Sequence, residues 1–244
     1  MMKRAVVIVT FSLFVWTSEA SAASILYFND YNVGTDRMAE ALVAVSGTHS
    51  VTTVTSLGDF TTQIASGSYQ LGILFQQLSS GPSYDTAWVA LASFITSGGS
   101  AIGADWSGNT SHSAAFGATF TDTGNGGAFT VTDASLVAGL VNPVDLTNPG
   151  WGMYSRGLSG SSAAEFAVDE AIVVGNLGRT LFNGFLSDTF ADGPEGRQLY
   201  INEIGFVLDG DVQSVPEPAS LLLLGTGILG LAKAHRRRKL TAKV

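Results

Sequence analysis

Between Ser24 and Leu208 the sequence predicts an α/β fold, a three-layer sandwich with a largely parallel sheet. Short apolar runs of strand length alternate with stretches of helical period, and each run stops at polar or glycine-rich residues. The first three strands are joined by helical segments, which makes two crossover units.

Ser24 to Phe28 suits a buried strand and stops at Asn29-Asp30. Thr35 or Asp36 caps the helix that follows. Met38, Leu42 and Val45 recur along it at i, i+4 and i+7, and Gly47 stands where a left-handed cap would end it. The next strand, Ser50 to Val54, is dominated by β-branched residues. A short helix near Phe60 to Ala65 leads to a strand at Leu71 to Phe75, ending at Gln76-Gln77. Tyr84 to Thr96 places Trp88, Leu91, Ala92 and Ile95 on one helical face. Gly98-Gly99 terminates it, and Ser100 to Ala104 is the fourth strand. Phe116 to Thr121 and Ala128 to Thr132 flank Asp122-Thr123-Gly124-Asn125-Gly126-Gly127, which predicts a hairpin because Asn-Gly accepts the positive φ of a tight turn. Glu165 to Val174 and Arg179 to Gly184 are two further strands. Pro194 opens a last helix through Leu208, and residues 209–214 form a linker.

Both ends of the chain carry routing information. Lys3 and Arg4, the apolar run Ala5 to Trp16 and the small residues Ala20-Ser21-Ala22 form a secretory signal peptide over residues 1–22, so the mature chain is expected to begin at Ala23 or Ser24. At the other end Val215-Pro216-Glu217-Pro218 precedes an uncharged stretch from Ala219 to Ala232. The basic residues Lys233, Arg236, Arg237, Arg238, Lys239 and Lys243 follow it. Fourteen uncharged residues reach about 21 Å as a helix against a hydrocarbon core of about 30 Å. Lys233 can extend the span by reaching to the headgroups, so a transmembrane helix over about 219–234 is expected. The positive charge after it predicts a cytoplasmic C-terminus, which leaves the residues before Val215 outside the cytoplasm.

A rigid Pro-Glu-Pro tripeptide, a membrane-length apolar segment and a cationic stop over residues 215–240 resemble the PEP-CTERM sorting signal of exported bacterial proteins. The resemblance implies export through the secretion machinery and signal peptidase, anchoring in the inner membrane, and recognition by an exosortase-type membrane protease. It also implies retention at the membrane or release to the cell surface or an exopolysaccharide matrix. In the domain itself, Phe94 to Asp105, Gly178-Arg179-Thr180-Leu181-Phe182 and Leu199 to Ile204 are similar to the class I glutamine amidotransferase-like superfold, of flavodoxin-like architecture, and in particular to its ThuA-like branch. Active amidotransferases place a cysteine nucleophile after this strand, where Asp105 stands here within Gly103-Ala104-Asp105-Trp106. That departure removes glutaminase chemistry and leaves the fold.

From Ser24 to Ser214 four arginines (Arg37, Arg156, Arg179 and Arg197) and no lysine face eighteen Asp and Glu, a formal charge of −14. Such a field repels phosphate backbones and disfavours nucleic acid as a partner. With no cysteine in the chain, thiol catalysis, thiolate metal sites and disulfides are excluded, and roughly 190 residues bury an adequate core without them. No catalytic motif, cofactor site or metal site is predicted. His49 has no second histidine near it. The Asp122 to Gly126 loop lacks the closing Glu of an EF-hand, Ser107 and His112 match no nucleophile elbow, and Asp169-Glu170 and Asp209-Gly210-Asp211 read as solvated acidic loops, with weak calcium binding the alternative.

In open α/β sheets ligands sit at the carboxyl ends of strands, where this chain carries Asn29-Asp30, Gln76-Gln77, Asp105-Trp106 and Asn183. Two expectations follow for the exported domain. It is a non-catalytic surface or matrix protein, or it binds or hydrolyses carbohydrate through Asp30, Gln76, Asp105 and Trp106, with the carboxylates as an acid/base pair or cation site and Trp106 stacking on a sugar.

Overall fold

The computed structural model of the chain describes residues 22–124, 127–147, 155–191 and 193–209. The predicted signal peptide apart from Ala22, the residues Val215 to Pro218, the predicted transmembrane helix and the basic residues Arg236 to Lys239 lie outside the described residues.

Five strands form the parallel half of the sheet: β1 (Ser24–Asn29), β2 (Ser50–Thr53), β3 (Leu71–Gln76), β4 (Ser100–Asp105) and β11 (Thr180–Asn183), in the order β2-β1-β3-β4-β11. Helices α1 (Arg37–Val45), α2 (Leu57–Ile64), α3 (Pro82–Thr96), the single turn α4 (Thr110–Ser113) and α5 (Glu195–Asp209) complete the layers. One core gathers Ile25, Tyr27 and Phe75 of the sheet with Met38 and Leu42 of α1 and Leu199, Ile204 and Val207 of α5. The other gathers Leu26, Phe28 and Leu74 with Phe60 and Ile64 of α2 and Trp88, Leu91 and Ile95 of α3. Alternate side chains of one strand therefore feed opposite helical layers, as the period of two requires.

The sequence-derived elements of the parallel half agree with the structure to within about three residues. Asp36 caps α1 by accepting from Ala39 N, and Ser56 caps α2 by accepting from Asp59 N. Gly47, however, does not supply a left-handed cap. Ser46 follows α1 in a right-handed conformation, and its N–H and hydroxyl both donate to Val43 O, which closes the turn without glycine.

The remaining strands correct the expectation of a largely parallel sheet. β10 (Glu170–Gly175), β9 (Ser161–Glu165), β6 (Ala128–Val131) and β7 (Val144–Asp145) add antiparallel beyond β11. β8 (Arg156–Ser159) pairs with β10 and with β5 (Thr119–Gly124). The predicted strand from Glu165 to Val174 takes in the last residue of β9, a turn over 166–169 closed by Phe166 N donating to Asp169 O, and β10 up to Val174, so only its second part is one strand. A four-residue connection cannot cross over the sheet, so the second strand must reverse. Nor do β5 and β6 form the predicted hairpin. Phe120 of β5 packs in the cluster of Leu158 and Phe182, whereas Phe129 of β6 packs against Phe166 and Phe185 in the other. Burying the two rings in different layers separates the strands. Phe116 precedes β5 in a short 3-10 turn and is not part of a strand.

Candidate functional site at the strand ends

At the carboxyl end of β1, Asp30 accepts from the backbone N–H of Gln77 (2.6 Å), Leu78 (3.2 Å) and Ser79 (2.9 Å) and from the Tyr84 hydroxyl (2.9 Å). One carboxylate thus shapes the loop between β3 and α3. Burial and the Asp30 charge push the Tyr84 hydroxyl up to about 12, so it stays a donor. Gln76 is fully buried: its amide oxygen accepts from Trp88 Nε1 (2.8 Å) and its amide nitrogen donates to Ser79 O (2.6 Å). Gln77, also buried, donates to Asn29 Oδ1, Tyr31 O and Asn32 Oδ1 and accepts from Ser187 N. Asp188 accepts from Val33 N and Gly34 N. The loops after β1, β3 and β11 are therefore tied together by side chains that the strand ends supply.

At the end of β4, Asp105 accepts from Ser107 N (2.7 Å) and Asn109 N (3.2 Å), and its Oδ2 lies 2.9 Å from His112 Nδ1. The second ring nitrogen, Nε2, lies 2.9 Å from Asp85 Oδ1 in the first turn of α3, and Trp88 stacks on the ring at 5.2 Å and 13°. Burial lowers the His112 pKa. Hydrogen bonds to Asp105 and Asp85 and the two charges raise it by more, and the net shift is upward. Both ring nitrogens are thus engaged by protein partners, Nδ1 by Asp105 and Nε2 by Asp85, with Asn109 Nδ2 also 3.1 Å from Nε2. Pairing Ser107 with His112 as nucleophile and base has no support here: the Ser107 N–H, not its hydroxyl, enters the cluster.

Of the four residues Asp30, Gln76, Asp105 and Trp106, the first three spend their polar atoms on these loops. Trp106 is half-buried, and its Nε1 donates to Ser79 O at 3.2 Å, which fixes the indole beside the loop. Asp105, Trp106, Ser155, Arg156, Asn183 and Phe185 line a recess of about 10 Å³, room for one water. Ser155 Oγ and Asn183 Oδ1 there are buried with no hydrogen-bond partner among the described residues. Behind it Glu203 of α5 is fully buried and accepts from Asn183 Nδ2 at 3.1 Å, and burial pushes its carboxyl up to about 8. Among the described residues no group of three or more His, Asp and Glu is arranged to hold a metal ion.

Sequence reasoning missed the roles of Asp85, His112 and Glu203. Their partners lie 27, 7 and 20 residues away, and only the folded sheet brings them together. The Asn109 cap ahead of Thr110-Ser111-His112 was the one local signal that His112 would be held in place. Asp169 is likewise more than a solvated loop residue, because Thr121 Oγ1 donates to it at 2.9 Å. His49 Nδ1 accepts from Ala23 N at 3.2 Å.

Residues 214–239 match the PEP-CTERM protein-sorting motif. A chain with this motif is routed to exosortase processing, with export and exosortase as the processing partner. A comparison with curated proteins finds no match. A solved glutamine amidotransferase from Thermotoga maritima aligns over 85% of this chain and 94% of that one, at 11% identity and a TM-score of 0.38. Among the described residues no helix is long and apolar enough to cross a membrane, and the apolar part of the motif lies outside them.

Proposed function

We propose that the protein is an exported surface or matrix protein of a bacterium, held by its C-terminal apolar segment at the inner membrane until exosortase processes it, and that its α/β domain is non-catalytic. The match at residues 214–239 carries the routing. The non-catalytic reading draws support from the strand ends, where the Asp30 and Asp105 carboxylates and the His112 ring are all engaged by protein partners. A charge of −14 without lysine suits a hydrated extracellular setting. The test is the mass of the C-terminal peptide of the protein recovered from its producing cells. A chain ending near Pro216-Glu217-Pro218 is the expected result; one that continues through Arg238 would make the tail a permanent anchor and sink the processing step.

One observation favours a second reading, carbohydrate binding: Trp106 presents a half-exposed indole held rigid through Ser79 O. Glycan-array binding that disappears in Trp106→Ala supports that reading, and equal behaviour of the two proteins removes it.

A further inference from the structure

Both ends of the domain leave from one pole, the end at which the parallel strands begin. Ala23 N donates to His49 Nδ1 and Ser24 N to Gln70 Oε1, beside the entrances of β2 and β3. Helix α5 returns to this pole, where Ser100 Oγ at the start of β4 donates to Val207 O, two residues before Asp209. The turn from β10 into β11 lies here too, since Arg179 Nη1 donates to Gly99 O at 2.8 Å.

In that turn Asn176, Leu177 and Gly178 have φ of 51°, 60° and 92°. Asn and Gly accept the left-handed region, but a bulky leucine does so only against steric resistance. The conformation is fixed by Asn176 Nδ2, which donates to Ala115 O (2.8 Å) and Thr180 Oγ1 (3.0 Å). Its consequence is that Leu177 is 97% exposed, more than any other large apolar residue described. Strain that serves to put an apolar side chain into solvent suggests that something apolar meets it.

The charge pattern says what. In a domain of net −14, the segments leading into β2 (46–49), β3 (65–70), β4 (97–99) and β11 (176–179) contain no Asp or Glu, and Asp209 at the end of α5 is the acid nearest them. Asp30, Asp85, Asp105, Asp188 and Glu195 all sit at the opposite pole, at strand carboxyl ends, in the loops that follow them or in the first turns of helices. The point at which the tether leaves bears on the orientation. Ten residues lead from Asp209 to Ala219, where the apolar segment starts, and at full extension they span at most about 35 Å. The tether leaves at Asp209, on the pole that carries Leu177, so this pole lies nearest the membrane whenever the tether is short of full extension.

We propose that, while the tail is intact, the pole bearing Ala23, Leu177 and Asp209 faces the lipid surface, with Leu177 as its contact with the interface and the strand-end loops turned outward. This rests on the anchored reading above. The test uses the absence of cysteine from the chain: Leu177→Cys and Val168→Cys, the latter 80% exposed in the β9–β10 turn, each carry one environment-sensitive dye on the full chain. The protein is reconstituted with phosphatidylethanolamine–phosphatidylglycerol vesicles, floated, and quenched with aqueous iodide. The expected result is co-flotation of both proteins, with vesicles shielding the dye at 177 several-fold and leaving the dye at 168 open. Co-flotation with equal quenching at both positions would overturn the contact and leave the anchor standing. Failure to float would overturn the anchored reading and the contact with it.

Discussion

Replacing Glu203 by Gln should stabilise the domain, and by an amount that grows with pH. The side chain is fully buried; Oε2 accepts from Asn183 Nδ2, and Oε1 has no partner among the described residues. Burial lifts its pKa from 4.5 to about 8, with the Asn183 hydrogen bond pulling a little the other way. Between those values the unfolded chain gives up the proton and the folded one keeps it. The unfolded state then binds fewer protons, and stability falls as pH rises, by about 1.4 kcal/mol per pH unit. The loss begins near pH 4.5, reaches about 3 kcal/mol by pH 7 and levels off above about pH 8. Gln keeps the shape and the acceptor and does not titrate. Urea unfolding followed by tryptophan fluorescence at pH 5, 7 and 8 measures both proteins, and every other titrating group cancels in the difference. The expected gap is near zero at pH 5 and about 3 kcal/mol at pH 7 in favour of Glu203→Gln. Parallel pH profiles would refute the argument, because they would mean that Glu203 is charged in the folded protein and stabilised by something the burial argument leaves out.

Asp85→Asn removes one of the two carboxylates that raise the His112 pKa, so the imidazole should titrate at lower pH, read by NMR of its ring protons. Because that pKa is raised in the folded state, the stability contributed by His112 is complete below its unfolded value and disappears as pH rises through its folded one. His112→Gln should therefore cost more at pH 6 than at pH 9, as measured by thermal unfolding. Asp30→Ala strips the acceptor from three backbone N–H groups and from Tyr84, and should cost about 2 kcal/mol in denaturant unfolding while the Tyr84 hydroxyl titrates below its present value of about 12. Leu177→Gly relieves a left-handed leucine in an exposed turn and should raise stability by about 1 kcal/mol, a Tm gain of about 2–4 °C.

The parallel half was legible because every element there has a local cause. Asp36 and Ser56 cap helices through hydrogen bonds three residues long, and Leu71 to Gln76 is apolar enough to be read as a strand buried on both faces. In the second half the decisive contacts are distant. β5 chooses β8 over its neighbour β6 because Phe120 belongs with Leu158 and Phe182, residues more than thirty positions further on, and no turn signal between 122 and 127 carries that information. The strand-end residues were found by position, since the end of a strand in an open sheet is readable from its apolar run. Their partners were not readable, and the partners determine the chemistry: Asp105 beside a free water and Asp105 between two N–H groups and an imidazole are the same letter in sequence.

That contrast is sharpest at the end of β4. Both Asp105 oxygens are bonded within eight residues of the strand, Oδ1 by Ser107 N and Oδ2 by Asn109 N and His112. His112 passes the constraint on to Asp85 and α3, while Asp30 holds the preceding loop against the first turns of the same helix. Opening one oxygen would cost the hydrogen bonds of two loops together, so the polar strand ends work as a clasp across the top of the sheet. The clasp lies at the pole opposite the one at which α5 ends. At the edge of that clasp Trp106 is half-exposed, its indole fixed through Ser79 O.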